Sequence, residues 1–496
     1  MGDEKSTMPN SLGDMPTEEF KKYGYELIDW IAEYFTDIEK LPVLPKVKPG
    51  DIKTKLPKNP PELPEGFDKI ISDVDNIIVP GVTHWNHPNF MAYFNSTSSG
   101  PGILAELLSA AFNTNGMLWK TSPSTTELER VTVDWMRQML ALPESFWGII
   151  YDTASISSMH GIAAAREQVG EYSFRQMGLS GGGKIPKLRL YASEHAHSSI
   201  EKGAILLGIG IDGVRKIPVD NEFKMIPEKL SDAIIEDRKS GWRPFCVVAT
   251  VGTTSTTSID PVEEIADICE KEKLWLHVDA AHSGVTAMIS EMKYIFNGVE
   301  RADSLVVNPH KWMFVPVDLS LFYIRKPDVL KKAFSLVPEY LKTAEDNSVE
   351  NLMDYGIQLG RRFRALKLWF VIRYFGVNGI TERLREHIRI GQLFAGWIDE
   401  HQNFERMAPA PFSTVCFRAH PASTNSESMI VQGTPYGEWL NEQLLQKINE
   451  TGKLFLSHTK INGKFVLRLS VSGIRTEERH VKDAWNLIQR TLKELL

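Results

Sequence analysis

The chain is poor in cysteine, shows no excess of positive charge and contains no long apolar run. Its 496 residues include only three cysteines, Cys246, Cys269 and Cys416. An odd, widely spaced set fits neither a disulfide framework nor a zinc motif, so no metal is expected and a reducing, cytoplasmic setting is favoured. No stretch stays apolar for the roughly 20 residues that a membrane-spanning helix needs. The formal charge of -7, from 63 acidic and 56 basic residues, gives no footprint for nucleic acid or an anionic membrane. The N-terminus, Met1-Gly2-Asp3-Glu4-Lys5-Ser6, lacks the basic and apolar regions of a signal peptide. It matches the N-myristoylation pattern, which is short enough to arise by chance. What is present is ordinary for a globular chain: 42% apolar and 24% charged residues, and length enough for two or three domains.

After a lead of 16 residues, Thr17 is expected to cap a helix carrying Phe20, Tyr23, Leu27, Ile31, Tyr34 and Ile38 on one face. The proline-rich stretch from Pro42 to Pro64 ends it. Such an extended arm needs a surface, either its own core or a second subunit. From about residue 95 to 330, short β-rich runs at 148–151, 188–191, 246–251, 274–278, 304–307 and 319–323 alternate with helix-like segments. That pattern predicts an α/β fold with a mainly parallel sheet between helices. Ligands in such sheets bind at the carboxyl ends of the strands. Residues 358–376 read as a long helix leading to a smaller α+β unit, with a strand near 465–471. The expected division is an N-terminal helical and extended arm over 1–94, a large domain over 95–375 and a small C-terminal domain over 376–496. Gly181-Gly182-Gly183 precedes a lysine and a proline, and reads as a loop rather than a phosphate cradle.

Two polar residues stand at predicted strand exits. Lys311 lies in Asn308-Pro309-His310-Lys311-Trp312, after an apolar run, and Asp279 closes another in His277-Val278-Asp279-Ala280-Ala281. An apolar setting lowers an amine pKa and suits it to Schiff-base formation. A carboxylate there can keep a pyridine nitrogen protonated, the pairing that pyridoxal phosphate chemistry needs, or can serve a structural hydrogen bond. Asp152-Thr153-Ala154-Ser155 precedes a helical segment and offers hydroxyls and amides to a phosphate, or an ordinary cap. Ser304 and Asn308 add two phosphate contacts, and His310 either joins them or packs. Of His195 and His197, after another strand, His197 is the choice to stack on the cofactor ring. The hydroxyls of Thr250-Val251-Gly252-Thr253-Thr254 face the cofactor or the substrate carboxylate.

At these residues the chain resembles the group II pyridoxal-phosphate-dependent amino-acid decarboxylases, the family of aromatic L-amino-acid decarboxylase. The resemblance covers nearly the whole chain. Its carriers include Thr83-His84-Trp85-Asn86-His87-Pro88-Asn89-Phe90, Thr121-Ser122-Pro123, Ala196-His197-Ser198-Ser199, the Asp279 and Lys311 motifs and Leu359-Gly360-Arg361-Arg362-Phe363-Arg364. It implies that Lys311 is the Schiff-base lysine, Asp279 the pyridine-nitrogen partner and His197 the stacking histidine. Thr253 then lies beside the cofactor, and Ala154, Ser155, Ser304 and Asn308 hold its phosphate. Trp85, Tyr93, Phe94 and Ser96 fall where the family builds its substrate pocket. The implied architecture is PLP fold type I (aspartate-aminotransferase-like), as an obligate homodimer with active sites at the interface. The implied reaction takes an L-amino acid to its amine and carbon dioxide, and the aromatic segment with Trp312 favours an aromatic substrate.

Two departures bear on chemistry. His282 stands where the family often has tyrosine. In the loop from Thr343 to Tyr355, Leu352 falls where many members have the tyrosine that returns a proton after decarboxylation, leaving Tyr355 as the catalytic candidate through a shifted loop. An aldehyde synthase, which also deaminates with oxygen, therefore remains an alternative. So do a decarboxylase of glutamate or cysteine sulfinate and a cofactor-binding protein without catalysis.

Overall fold

The computed structural model describes residues 13–170, 172, 174–179, 185–345, 348–421, 430–431 and 433–496. The Met1-Gly2 terminus and the Gly181-Gly182-Gly183 run lie outside the described residues. Seven strands form the main sheet: β1 (Trp147–Tyr151), β2 (Lys187–Ser193), β3 (Val214–Ile217), β4 (Trp242–Thr250), β5 (Trp275–Asp279), β6 (Ser304–Val307) and β7 (Ser320–Ile324). Their order is β1-β7-β6-β5-β4-β2-β3. Strands β3, β2, β4, β5 and β6 run parallel, and β7 runs antiparallel to both β6 and β1. The middle strands β5, β6 and β7 are buried along their whole length, which is why they read as continuous apolar runs. Strand β3 escapes sequence reading because it is a four-residue edge, Val-Arg-Lys-Ile, with only Ile217 buried.

The helix expected over 358–376 starts later and runs further, over Ala365–Asp399, with Gly376 breaking it at φ 65°. The preceding turn is held out of helix by two bonds to a segment distant in sequence. The Arg361 amide donates to Asn115 Oδ1 at 2.9 Å, and the Gly116 amide donates to the Arg361 carbonyl at 2.8 Å. Beyond it, β8 (Phe404–Arg406), β9 (Thr414–Ala419), the pair β10 (Ile430–Val431) and β11 (Thr434–Pro435), β12 (Ser457–Ile461) and β13 (Lys464–Ser470) follow. An antiparallel sheet of order β12-β13-β9-β8 packs on helices Tyr436–Glu450 and Glu478–Leu495 around a second apolar core that includes Phe394, Phe417 and Ile488.

The N-terminal helix spans Thr17–Asp37, with Pro16 rather than Thr17 at the cap position, and none of its residues is buried. Helix Gly100–Phe112 likewise leaves Leu104, Leu107, Leu108 and Phe112 exposed. Among the described residues no helix is long and apolar enough to cross a membrane, and no cluster of His, Cys, Asp and Glu is arranged for a metal.

Candidate active site

Three strand exits are clasped by their own backbone. The Val251 amide donates to the Asp279 carbonyl at 2.9 Å, the Ala280 amide to Val306 at 3.0 Å and the Asn308 amide to Ala281 at 3.0 Å. A cavity of about 190 Å³ opens at these carboxyl ends, lined among others by Asp279, Ala281, His282, Asn308, His310 and Lys311. Asp279 ends β5 and is nearly buried, with Oδ1 accepting the Ala281 amide at 3.1 Å. Lys311 sits in the single helical turn Pro309–Trp312 that follows β6. Burial pushes its ammonium below the ordinary lysine range, and the nearby Asp279 carboxylate pulls it partly back.

The other wall is the start of helix Ala154–Gln168, where Thr153, Ala154 and Ser155 line the cavity. The first amides of a 15-residue helix lack intrahelical partners and favour an anion. Opposite them, His310 Nδ1 accepts the Leu319 amide at 2.9 Å, so its proton belongs on Nε2. Asn308 Nδ2 stands 3.4 Å from that nitrogen, while buried Asn308 Oδ1 has no partner. Turning the amide end for end resolves both: Oδ1 accepts the Nε2 proton and the NH2 group faces the cavity. Burial, then the Lys311 charge, holds His310 down at about 3, so it stays neutral.

His197 reaches the cavity from the turn after β2. Its Nδ1 accepts from the Ser199 amide at 3.1 Å and lies 2.8 Å from Ser199 Oγ, which leaves the proton on Nε2. Partial burial pushes its pKa down, against the pull of Asp279. His195 instead packs edge-on against Phe223 and does not line the cavity.

Of the residues singled out from sequence, Lys311, Asp279, His197, Ala154, Ser155, Asn308, His310 and Phe94 meet in this cavity. Four other groups do not. Ser304 opens β6, at the opposite end from the cavity, and its hydroxyl is taken by Trp275 Nε1 at 2.9 Å and His277 Nδ1 at 2.8 Å. Thr253 is fully buried, 3.0 Å from Thr256 Oγ1 and accepting the Ser258 amide, whereas its neighbour Thr254 lines the cavity. The positive φ of Gly252, 91°, reverses which side chain faces in. Tyr355 lies in the apolar cluster with Tyr151 and Leu352, stacked on Trp147 and away from its own chain's cavity. Trp85 and Tyr93 stack on each other 6.0 Å apart and stay 40% and 50% exposed, and Ser96 also lies outside the lining.

The hydroxyl of Thr153, offered to a phosphate from sequence, also lines the cavity, whereas sequence reasoning passed over Gly252 and Ala281 as lining residues. The signal for Gly252 was its position one residue beyond a strand end, where close backbone approach to a ligand needs glycine.

The pyridoxal-dependent decarboxylase conserved domain matches residues 49–420. Tryptophan decarboxylase 2 of Oryza sativa subsp. japonica is 39% identical over 495 residues, covering 98% of this chain and 97% of its own. Phenylacetaldehyde synthase of a Rosa hybrid cultivar is 38% identical over 489 residues, covering 97% and 95%. In the crystal structure of Oryza sativa TDC with PLP and tryptamine the fold recurs with a TM-score of 0.92 at 34% identity, over 98% of this chain and 100% of that one. The chain belongs to the pyridoxal-dependent decarboxylases. It is a PLP-dependent amino-acid decarboxylase of fold type I.

Proposed function

We propose that this enzyme decarboxylates an aromatic L-amino acid to its amine. One observation carries the reading: Lys311 and Asp279 stand on adjoining strand exits inside a cavity that the ring of Phe94 also lines, with Lys311 Nζ 5.5 Å from its centre. The name of the similar tryptophan decarboxylase points the same way, whereas that of the phenylacetaldehyde synthase supports an aromatic substrate alone.

The residues present fit the cofactor. The Asn308 NH2 group and the buried Thr250 Oγ1 lack partners at the cavity wall, and the helix start at Thr153–Ser155 supplies unpaired amides for a phosphate. Lys311 would hold the cofactor covalently, Asp279 would receive the pyridinium, His197 would cover the ring, and Ala154, Ser155, Asn308 and His310 would hold the phosphate. Thr254 takes the place first given to Thr253. The cofactor, when bound, supplies the electron sink for the bond to carbon dioxide. The chain supplies the rest. Burial lowers the Lys311 pKa and so favours the neutral amine that would bond to the cofactor, Asp279 would keep a positive charge at the far end of the site, and Phe94 would help exclude water from the cavity.

The active form is a homodimer in the cytoplasm. The unburied N-terminal helix and the apolar face of Leu104, Leu107, Leu108 and Phe112 need cover, and Trp85 and Tyr93 would wall the partner's substrate pocket. The three cysteines are free and buried, which suits a reducing compartment. The divisions at 94 and 375 remain our domain assignment.

A second reading is favoured by Leu352, which is apolar and buried where a proton donor is expected. In that case one dioxygen and one water are consumed, and the products are an aldehyde, carbon dioxide, ammonia and hydrogen peroxide. A panel of L-amino acids assayed for carbon dioxide, amine, aldehyde and peroxide decides between them. Lys311→Ala is expected to abolish both the visible absorbance of the holoenzyme and turnover. Steady decarboxylation by that variant would remove Lys311 from the mechanism.

A further inference from the structure

His282 is clamped within a column of rings. It lies 3.8 Å from Phe94 with planes 7° apart, and 4.9 Å from Trp312 with planes 3° apart. Trp312 in turn lies 6.4 Å from His387, and its Nε1 donates to His387 Nδ1 at 3.0 Å. Both faces of the His282 ring are therefore covered, and only its edge is free to bond.

That edge has no partner. His282 is 1% exposed and lines the cavity, yet neither Nδ1 nor Nε2 has a hydrogen bond, and the adjoining Ser283 Oγ and Thr250 Oγ1 are also unpaired. Buried polar atoms are normally satisfied, so an imidazole edge left unpaired in the cavity wall marks a place for a ligand or ordered water. Two cations flank the column, with Lys311 Nζ and Arg468 Cζ 5.5 and 5.3 Å from the Phe94 centre. Burial first, and these charges next, keep the imidazole neutral.

A neutral imidazole presents one donor and one acceptor. A carboxylate, which only accepts, is better served by Lys311 and Arg468, and an ammonium, which only donates, is repelled by them. A neutral hydroxyl both donates and accepts, and it satisfies either tautomer. We infer that His282 is a specificity-determining residue whose ring edge hydrogen-bonds a hydroxyl on the substrate's aromatic ring, so the enzyme prefers hydroxylated aromatic L-amino acids to unsubstituted ones. This deepens the proposed function and rests on it.

The test compares kcat/KM for tyrosine and phenylalanine in the wild-type holoenzyme and in two variants. His282→Phe keeps the stack and removes both nitrogens. His282→Gln keeps a donor and an acceptor. The wild type is expected to favour tyrosine, and His282→Phe to lose about tenfold of that ratio, the scale of one hydrogen bond in a site built for it. His282→Gln should restore part of it. An unchanged ratio in a His282→Phe holoenzyme of normal absorbance overturns the inference, because a purely packing role or a bound water predicts that result. If His282→Phe forms no holoenzyme, the wild-type ratio decides, and a preference for phenylalanine overturns it. Absence of carbon dioxide from every aromatic amino acid overturns the functional reading instead, a result separable from an unchanged ratio.

Discussion

The ring of Tyr355 lies on that of Trp147, with centres 4.3 Å apart and planes 28° from parallel. Trp147 also donates its indole proton to Glu350 at 3.0 Å, and Arg130 stands 3.4 Å from the same carboxylate. Lys331 Nζ is 4.9 Å from the Tyr355 ring centre. One tryptophan at the start of β1 thus anchors both ends of the segment from Glu350 to Tyr355.

With the tyrosine so engaged, Tyr355→Phe should leave turnover and the amine-to-aldehyde ratio unchanged, since the stack survives loss of the hydroxyl. Trp147→Ala should free the segment, read as faster limited proteolysis between residues 343 and 359. A steep loss of turnover in Tyr355→Phe would show that the hydroxyl does chemistry, reaching a cavity other than that of its own chain.

Asp279→Asn should retain bound cofactor and lose turnover on the order of 100-fold, the scale of removing one preorganised electrostatic contact. The same change carries a pH signature. Asp279 raises the pKa of Lys311, and capture of the cofactor needs the neutral amine. Removing the carboxylate lowers that pKa further, so the rise of reconstitution rate with pH should move to lower pH. A shift to higher pH would contradict the electrostatic coupling.

Glu129 and Arg361 form an ion pair of 2.6 Å with both side chains buried, and Glu129 Oε1 also accepts the Ile150 amide at 2.9 Å. Glu129→Ala strands the guanidinium and one strand amide, and should cost roughly 3–5 kcal/mol in denaturant unfolding. A loss under about 1 kcal/mol would mean that water replaces the carboxylate.

The residues most legible in sequence were polar ones that interrupt apolar runs. Asp279, Lys311 and His197 stood out because a strand exit leaves a charge or imidazole without sequence neighbours to explain it. Ser304 misled for the same reason: a serine bordering an apolar run looks alike at either end of a strand, and only the sheet direction tells which end holds the site. Thr253 and Thr254 differ by one residue in a turn whose facing is set by the backbone of Gly252, beyond the reach of a pattern of period two. The long helix was seen but placed too early, because bonds from Arg361 to Asn115 and Gly116 hold Leu359–Arg364 out of the helix. Trp85 and Tyr93 were recognised through resemblance alone, and in a single chain they face solvent.

The amide clasps among Val251, Ala280 and Asn308 make the separation of carboxylate and amine a property of main chain rather than of side chains. Residues 279 and 311 are far apart in sequence, yet they are mounted on one stiff frame. Every wall of the cavity can therefore be exchanged without retuning the distance at its centre. His282 is one such exchange in this chain: its ring stands in the cavity wall, and the main-chain clasps that carry the carboxylate and the amine do not depend on it.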